Sequence, residues 1–188
     1  GGDPELNEKK MGISFLAQNA GKRSIEINLK SARGKALFRE LVKTSDVVVE
    51  NFRPGVMDRL GVGFDVLKED NPKLIYCAIS GFGQDGPLRD LPAYDQIVQG
   101  MSGVMSITGA PDTAPYRVGY PVSDTVGGMT AAFAIAAQLA QPDRTAHFVD
   151  VSMLEATLAT MGWVVSNYLV AGNVPKPMGN DNFTASPS

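Results

Sequence analysis

Two short, uninterrupted apolar runs, DVVVENF beginning at Asp46 and LIYCAISGFG beginning at Leu74, restrict this chain more than any other feature. Each is bounded by turn residues, and a strand apolar at every position suits burial on both faces of a parallel sheet covered by helices. The stretches around them read as helices. In SARGKALFRELVKTS, Ala36, Leu37, Leu41 and Val42 fall at helical spacing behind a capping Ser31. MDRLGVGFDVLKEDNP supplies a further short helix with a proline stop. Before them, SIEINLK (residues 24–30) alternates Ile25, Ile27 and Leu29 with polar residues, which predicts a half-buried strand. GQDGPLRDLPAYDQ is too rich in Gly, Pro and Asp for anything but a loop, and helical spacing returns in YDQIVQGMSGVM. HFVDVSMLEATLATMGWVVSNYLV opens as a strand and continues as a helix. Strand and helix alternate, so the expected class is an α/β domain built around parallel strands.

The stretch GYPVSDTVGGMTAAFAIAAQLA (residues 119–140) holds a single carboxylate, Asp124, and no other charged side chain follows until Asp143. A helix without a solvated face is expected to be buried. A carboxylate where such a helix begins accepts hydrogen bonds from free N–H groups and meets the positive end of the dipole, and both effects favour its ionised form. Two readings stay open. Asp124 is a plain N-cap for Gly127 or its neighbour, contributing about 1 kcal/mol, or it is a reactive group. Gly127 and Gly128 favour the second, because glycine in a first turn costs about 1 kcal/mol relative to alanine and points to a need for close approach.

Composition narrows the chemistry. The chain's 188 residues, 44% of them hydrophobic, suffice for one full-sized domain. A formal net charge of −3 with interspersed charges argues against a nucleic-acid partner. The single Cys77 and single His147 leave no disulfide, no zinc site and no metal pair, and a reducing cytoplasm is the simplest compartment. The Gly- and Ala-rich region 126–141 contains Thr130 and stops short of membrane-spanning length, and no basic segment leads into an apolar one at the start. No GxGxxG that follows a strand and opens a helix, no Walker pattern and no Gly-x-Ser-x-Gly elbow occurs, so acids have to carry the chemistry. At the end of the first apolar run, ENFRPGVMDRLG presents Asn51, Phe52, Arg53 and Arg59 where open α/β sheets bind ligands. The arginines suit phosphates and Phe52 suits a base, unless they form a solvent-facing loop with Asp58 or Glu50 as partners. Glu155 reads as a buried acid paired with an arginine, and Trp163 and Tyr168 as core or subunit-contact residues. Met101, Met105 and Met129 read as core filling, with an acyl pocket as the alternative. His147 is placed at the start of a strand without a chemical role.

On these blocks the chain resembles the family III CoA-transferases of the formyl-CoA and carnitine-CoA transferase type. The matching stretches are NAGKRSIEINLKSARGKALFRELVKTSDVVVENFRPGVMDRLG, NPKLIYCAISGFGQDGP, LPAYDQIVQGMSG, PVSDTVGGMTAAFAIAAQL and FVDVSMLEA, in that order and over nearly the whole chain. The resemblance implies a Rossmann-like parallel sheet flanked by helices, belonging to the large domain of an interlocked homodimer. It implies a leading loop over residues 1–23, the catalytic domain over 24–172 and a linker over 173–188. The family's N-terminal segment, its glycine-rich loop over the active-site aspartate and its small domain have no counterpart, so the fold is expected to be incomplete at both ends and activity weak or absent without them. Asp124 falls on the family's nucleophile. Asn28, Leu29 and Lys30 fall where the family contacts the nucleotide end of CoA. Asn51, Phe52, Arg53 and Arg59 match its adenine and phosphate region, and Ala93, Tyr94 and Asp95 match the loop along the CoA tail.

The implied reaction moves CoA between an acyl-CoA and a carboxylic acid through covalent aspartyl intermediates, with no metal and no permanently bound cofactor. Backbone N–H groups around Gly127 and Gly128 are the expected oxyanion donors. Two alternatives stand beside it. The α-methylacyl-CoA racemases share the fold but use a histidine where this chain has Tyr94, and a phenol of pKa about 10 is a poor acid–base partner. A non-catalytic CoA-binding or assembly unit is the other.

Overall fold

Ile75–Ser80 forms the central strand of a three-stranded parallel sheet in a computed structural model of the chain, which describes residues 3–181. The strands are β1 (Val47–Glu50), β2 (Ile75–Ser80) and β3 (His147–Ser152), in the order β1-β2-β3. Val47 pairs with Ile75, and Ile75 pairs in turn with His147. The helices are α1 (Pro4–Glu8), α2 (Ile13–Asn19), α3 (Ala32–Val42), α4 (Val56–Leu60), α5 (Phe64–Asp70), α6 (Asp95–Ser102), α7 (Val122–Leu139), α8 (Met153–Thr160) and α9 (Gly162–Ala171), with a 3-10 turn at Val104–Ile107.

Alternate side chains of a strand point to opposite faces, so a strand between two cores is apolar at both parities. That accounts for LIYCAIS. Tyr76 and Ala78 enter one core with Val42, Val48, Leu67 and Leu74, beneath α3, α4 and α5. Ile75 and Cys77 enter a second with Val149, Val151 and Ala131 of α7. The first core is fastened by an aromatic trio, in which Tyr76 stacks on Phe148 at 5.5 Å and Phe64 meets both rings. Burial pushes the Cys77 thiol up to about 11. α6, α7 and α8 pack on one another, and α7 lies against β2 and β3. Ser31 caps α3 as expected, its Oγ accepting from the Gly34 N–H at 3.0 Å.

The α/β class and the parallel sheet hold, and several local expectations do not. Residues 22–28 form no strand: only Leu29 reaches the first core, and Ile25 is exposed. Alternation encodes one-sided burial, which needs a neighbouring strand, and β1 is the edge of the described sheet. β1 is not buried on both faces: Val48 enters the first core, but Val49, on the opposite face, is exposed among the described residues. Residues 1–23 were expected as loop but contain α1, whose N-cap Asp3 accepts from the Leu6 N–H, and α2. MDRLGVGFDVLKED breaks at Gly61 into α4 and α5 rather than forming one helix. α7 buries only Ser123, Gly127 and Ala131, while Phe133 is 78% exposed. Trp163 is 74% exposed, Tyr168, Met101 and Met129 are exposed too, and Met105 is half-buried, so none of these five fills the core. Glu155 is exposed and pairs with no arginine among the described residues; its N–H donates to Ser152 Oγ, the cap of α8. The part of the expected linker beyond residue 181 lies outside the described residues.

Candidate functional site

Beyond the carboxyl ends of β1 and β2 lies a cleft of about 530 Å³, the place where open α/β sheets bind ligands. The end of β1 delivers Asn51, Phe52 and Arg53; the loop after β2 delivers Arg89, Ala93 and Tyr94; α7 delivers Asp124 and Gly128. Asn51 Nδ2 donates to the Ile79 carbonyl at 2.7 Å and so ties the two strand ends together. The loop can lie against β2 because residue 81 is glycine: a Cβ there would stand 2.1 Å from the Ala93 Cβ. Tyr94 is 71% exposed, and with Phe52 it offers a flat apolar surface to the cleft.

Asp124 is the third residue of α7 and does not cap it. The first-turn amides are already engaged: Val122 N–H donates to the Tyr120 carbonyl at 2.8 Å, Ser123 N–H to Asp95 Oδ1 at 2.8 Å, and Asp124 N–H to the same oxygen at 3.4 Å. A carboxylate from another helix therefore does the capping. Asp124 is left at the cleft surface, and its carboxyl is held above the usual aspartate range, first by desolvation and then by the negative charge of Asp95. The expectation that the helix terminus favours its ionised form is corrected accordingly. Gly127 and Gly128 are also not free oxyanion donors, since residues this far into a regular helix spend their N–H groups on carbonyls four positions back. Their role is spatial. A Cβ on Gly127 would lie 3.1 Å from Met153 Cγ of α8, and Gly128 leaves open space beside Asp124.

At the opposite rim stand arginines. Among the described residues, neither Arg53 nor Arg59 pairs with Glu50 or Asp58. Glu50 instead accepts the Phe52 N–H at 2.6 Å, and burial raises its pKa. A Cβ on Gly55, whose φ is +76°, would lie 3.0 Å from Arg59 Nη1 and 3.5 Å from Arg89 Nη2, so these two guanidinium groups converge on one turn. Arg89 Nε is buried without a hydrogen-bond partner, a state that favours an anionic acceptor.

The structure thus brings Asn51, Phe52, Arg53, Ala93, Tyr94 and Asp124 to one cleft. It does not bring Asn28, Leu29 or Lys30 into that lining, because the turn they form launches α3: Asn28 Oδ1 accepts the Lys30 N–H at 3.0 Å and Leu29 packs on the first core. Arg59 stands behind the rim, and Asp95 lies behind Asp124 with its carboxylate turned toward α7 rather than into the cleft. Sequence reasoning missed Arg89. The available signal was a cation in the loop leaving the carboxyl end of a buried strand.

Residues 2–188 match CoA-transferase family III. An acetyl-CoA:oxalate CoA-transferase of Acetobacter aceti is 46% identical over 181 residues, covering 94% of this chain and 46% of that protein. A succinate–glutarate CoA-transferase of Agrobacterium fabrum is 44% identical over 92% of this chain and 44% of its own length. Among solved structures, a CaiB/BaiF family protein from Brucella suis superposes with a TM-score of 0.84 at 37% identity, covering 90% of this chain and 45% of that one. The chain therefore spans just under half the length of these relatives. It belongs to CoA-transferase family III.

Proposed function

We propose that the protein transfers coenzyme A between an acyl-CoA thioester and a free carboxylic acid, with Asp124 as the covalent carrier. One observation supports this above the rest: a single cleft has an unpaired carboxylate at one side and arginines without acidic partners at the other. The rim suits the phosphates of CoA, Phe52 and Tyr94 suit its apolar and aromatic parts, and the extended tail would run toward Asp124.

The Asp124 carboxylate attacks the thioester carbonyl, the CoA thiolate leaves, and a mixed anhydride remains. The thiolate then attacks the aspartyl carbonyl, releasing the donor as a carboxylate and leaving an aspartyl-CoA thioester. The acceptor carboxylate attacks that thioester and expels the thiolate, which finally takes the acyl group and frees Asp124. No proton is exchanged along this route, so no histidine is needed. A raised aspartate pKa fits the role, because nucleophilicity grows with basicity. No permanently bound cofactor enters this scheme; CoA and acyl-CoA are substrates. The apolar faces of α7 and α9 support a homodimer, and we place the reaction in the cytoplasm. No described helix is long and apolar enough to cross a membrane.

The test is CoA exchange between succinyl-CoA or acetyl-CoA and a labelled acid. Asp124→Ala is expected to abolish exchange while CoA affinity stays within about twofold. Arg53→Ala and Arg89→Ala are each expected to weaken CoA binding roughly tenfold, as loss of a charge-assisted contact does. Exchange persisting in Asp124→Ala would remove the reading. α-Proton exchange dependent on Asp124 without CoA transfer would favour racemisation, and CoA binding without either reaction would favour a binding unit.

A further inference from the structure

We propose that Asp95 and Gln99, one turn apart on α6, are a positioning pair that fixes the first turn of α7 and with it the place of the Asp124 carboxylate. The proposal rests on the reading of Asp124 as the reacting group, but the geometry behind it is independent of that reading. Asp95 is 5% exposed and Gln99 0%. Asp95 Oδ1 accepts from the N–H groups of Ser123 and Asp124, and Oδ2 accepts from Gln99 Nε2 at 2.5 Å. The same Nε2 reaches the Tyr120 carbonyl at 3.4 Å, and Gln99 Oε1 accepts the Val118 N–H at 2.8 Å. Two side chains on α6 thus hold the backbone at residues 118, 120, 123 and 124 from one side, and both polar ends of Gln99 are used.

The Asp95 and Gln99 side chains have all their polar atoms engaged, though the Ser123 hydroxyl beside them has no partner among the described residues, and so many buried hydrogen bonds rigidify what they join. The charged member lies where the helix dipole favours an anion. It also occupies the N–H groups that would otherwise bind and quieten Asp124. The ionisable groups on elements packed against α7 are Asp95 on α6, Glu155 on α8, Cys77 and Tyr76 on β2, the latter turned into the other core, and His147 and Asp150 on β3, with Arg53, Arg89 and Tyr94 at the cleft. Of these, Asp95 is the one whose charge raises Asp124. Removing that charge lowers the Asp124 pKa, so the acid limb of a pH profile moves to lower pH.

The test compares Asp95→Asn and Gln99→Met with the parent protein by CoA exchange across pH and by amide hydrogen exchange. Both variants are expected to lower kcat roughly 10- to 100-fold, the cost of a small misplacement, with KM for acyl-CoA within about twofold. Only Asp95→Asn is expected to shift the acid limb downward. In Gln99→Met the amides of Ser123 and Asp124 are expected to exchange faster while those near Ile135 keep their protection. A purely structural role would lower thermal stability and leave the acid limb in place, and that result overturns the proposal. So does unchanged protection of the Ser123 and Asp124 amides in a folded Gln99→Met. If Asp95→Asn does not fold, the hydrogen-exchange result in Gln99→Met decides. Should the parent protein show no CoA exchange, the proposed function fails, and amide protection still decides whether the pair holds α7.

Discussion

Asp124 sits where an ionised carboxyl is costly, partly desolvated in the cleft and facing the charge of Asp95. Its folded pKa lies above the unfolded value of about 3.9, so between the two values the unfolded chain has released a proton that the folded chain retains. Ionised Asp124 therefore opposes folding above this window, and the effect vanishes below about pH 3.9. Asp124→Asn is expected to raise the melting temperature at pH 7 by about 1–3 °C while abolishing activity. Scanning calorimetry across pH checks this, with the gain shrinking as the pH approaches 4; a variant less stable than the parent at pH 7 contradicts the assignment of strain. The position of Asp124 at the start of a helix was legible in the sequence because it is the only charge in that stretch. Its environment was not, because the capping group, Asp95, comes from another helix, and no local pattern announces a contact across that separation.

At the scale of elements, β2 was readable because each parity of its side chains meets a core, leaving an unbroken apolar run. Residues 24–30 misled for the complementary reason: a period of two encodes a preference for a sheet but does not supply the neighbouring strand. α7 misled differently. Its lack of charge signals burial, yet the helix turns only Ser123, Gly127 and Ala131 inward and leaves Met129 and Phe133 uncovered, as α9 leaves Trp163, Leu169 and Val170. Apolar helix faces of this kind mark contact with further protein. Sedimentation velocity is expected to show a dimer whose dissociation constant rises at least tenfold in Phe133→Glu and in Trp163→Glu. A monomeric parent, or a dimer indifferent to both changes, would place these faces outside the subunit contact.

Across the whole molecule, one end of the sheet carries the candidate site. The loops leaving β1 and β2 carry Arg53 and Arg89 to the cleft, and α6 holds the start of α7 opposite them. The α/β class, the cleft at the strand ends and the part of its lining that leaves β1 were visible in the sequence, since Asn51, Phe52 and Arg53 directly follow a recognisable strand. Arg89 was not, because a loop defined by Gly, Pro and Asp gives no direction to its side chains until the strands beneath are placed. The central claim is a covalent bond between Asp124 and the transferred group. Its most direct measurement is mass spectrometry of the protein after incubation with succinyl-CoA and hydroxylamine. A hydroxamate on the peptide containing Asp124, absent without acyl-CoA, is the expected result. An unmodified Asp124 under conditions where CoA exchange proceeds would contradict the account.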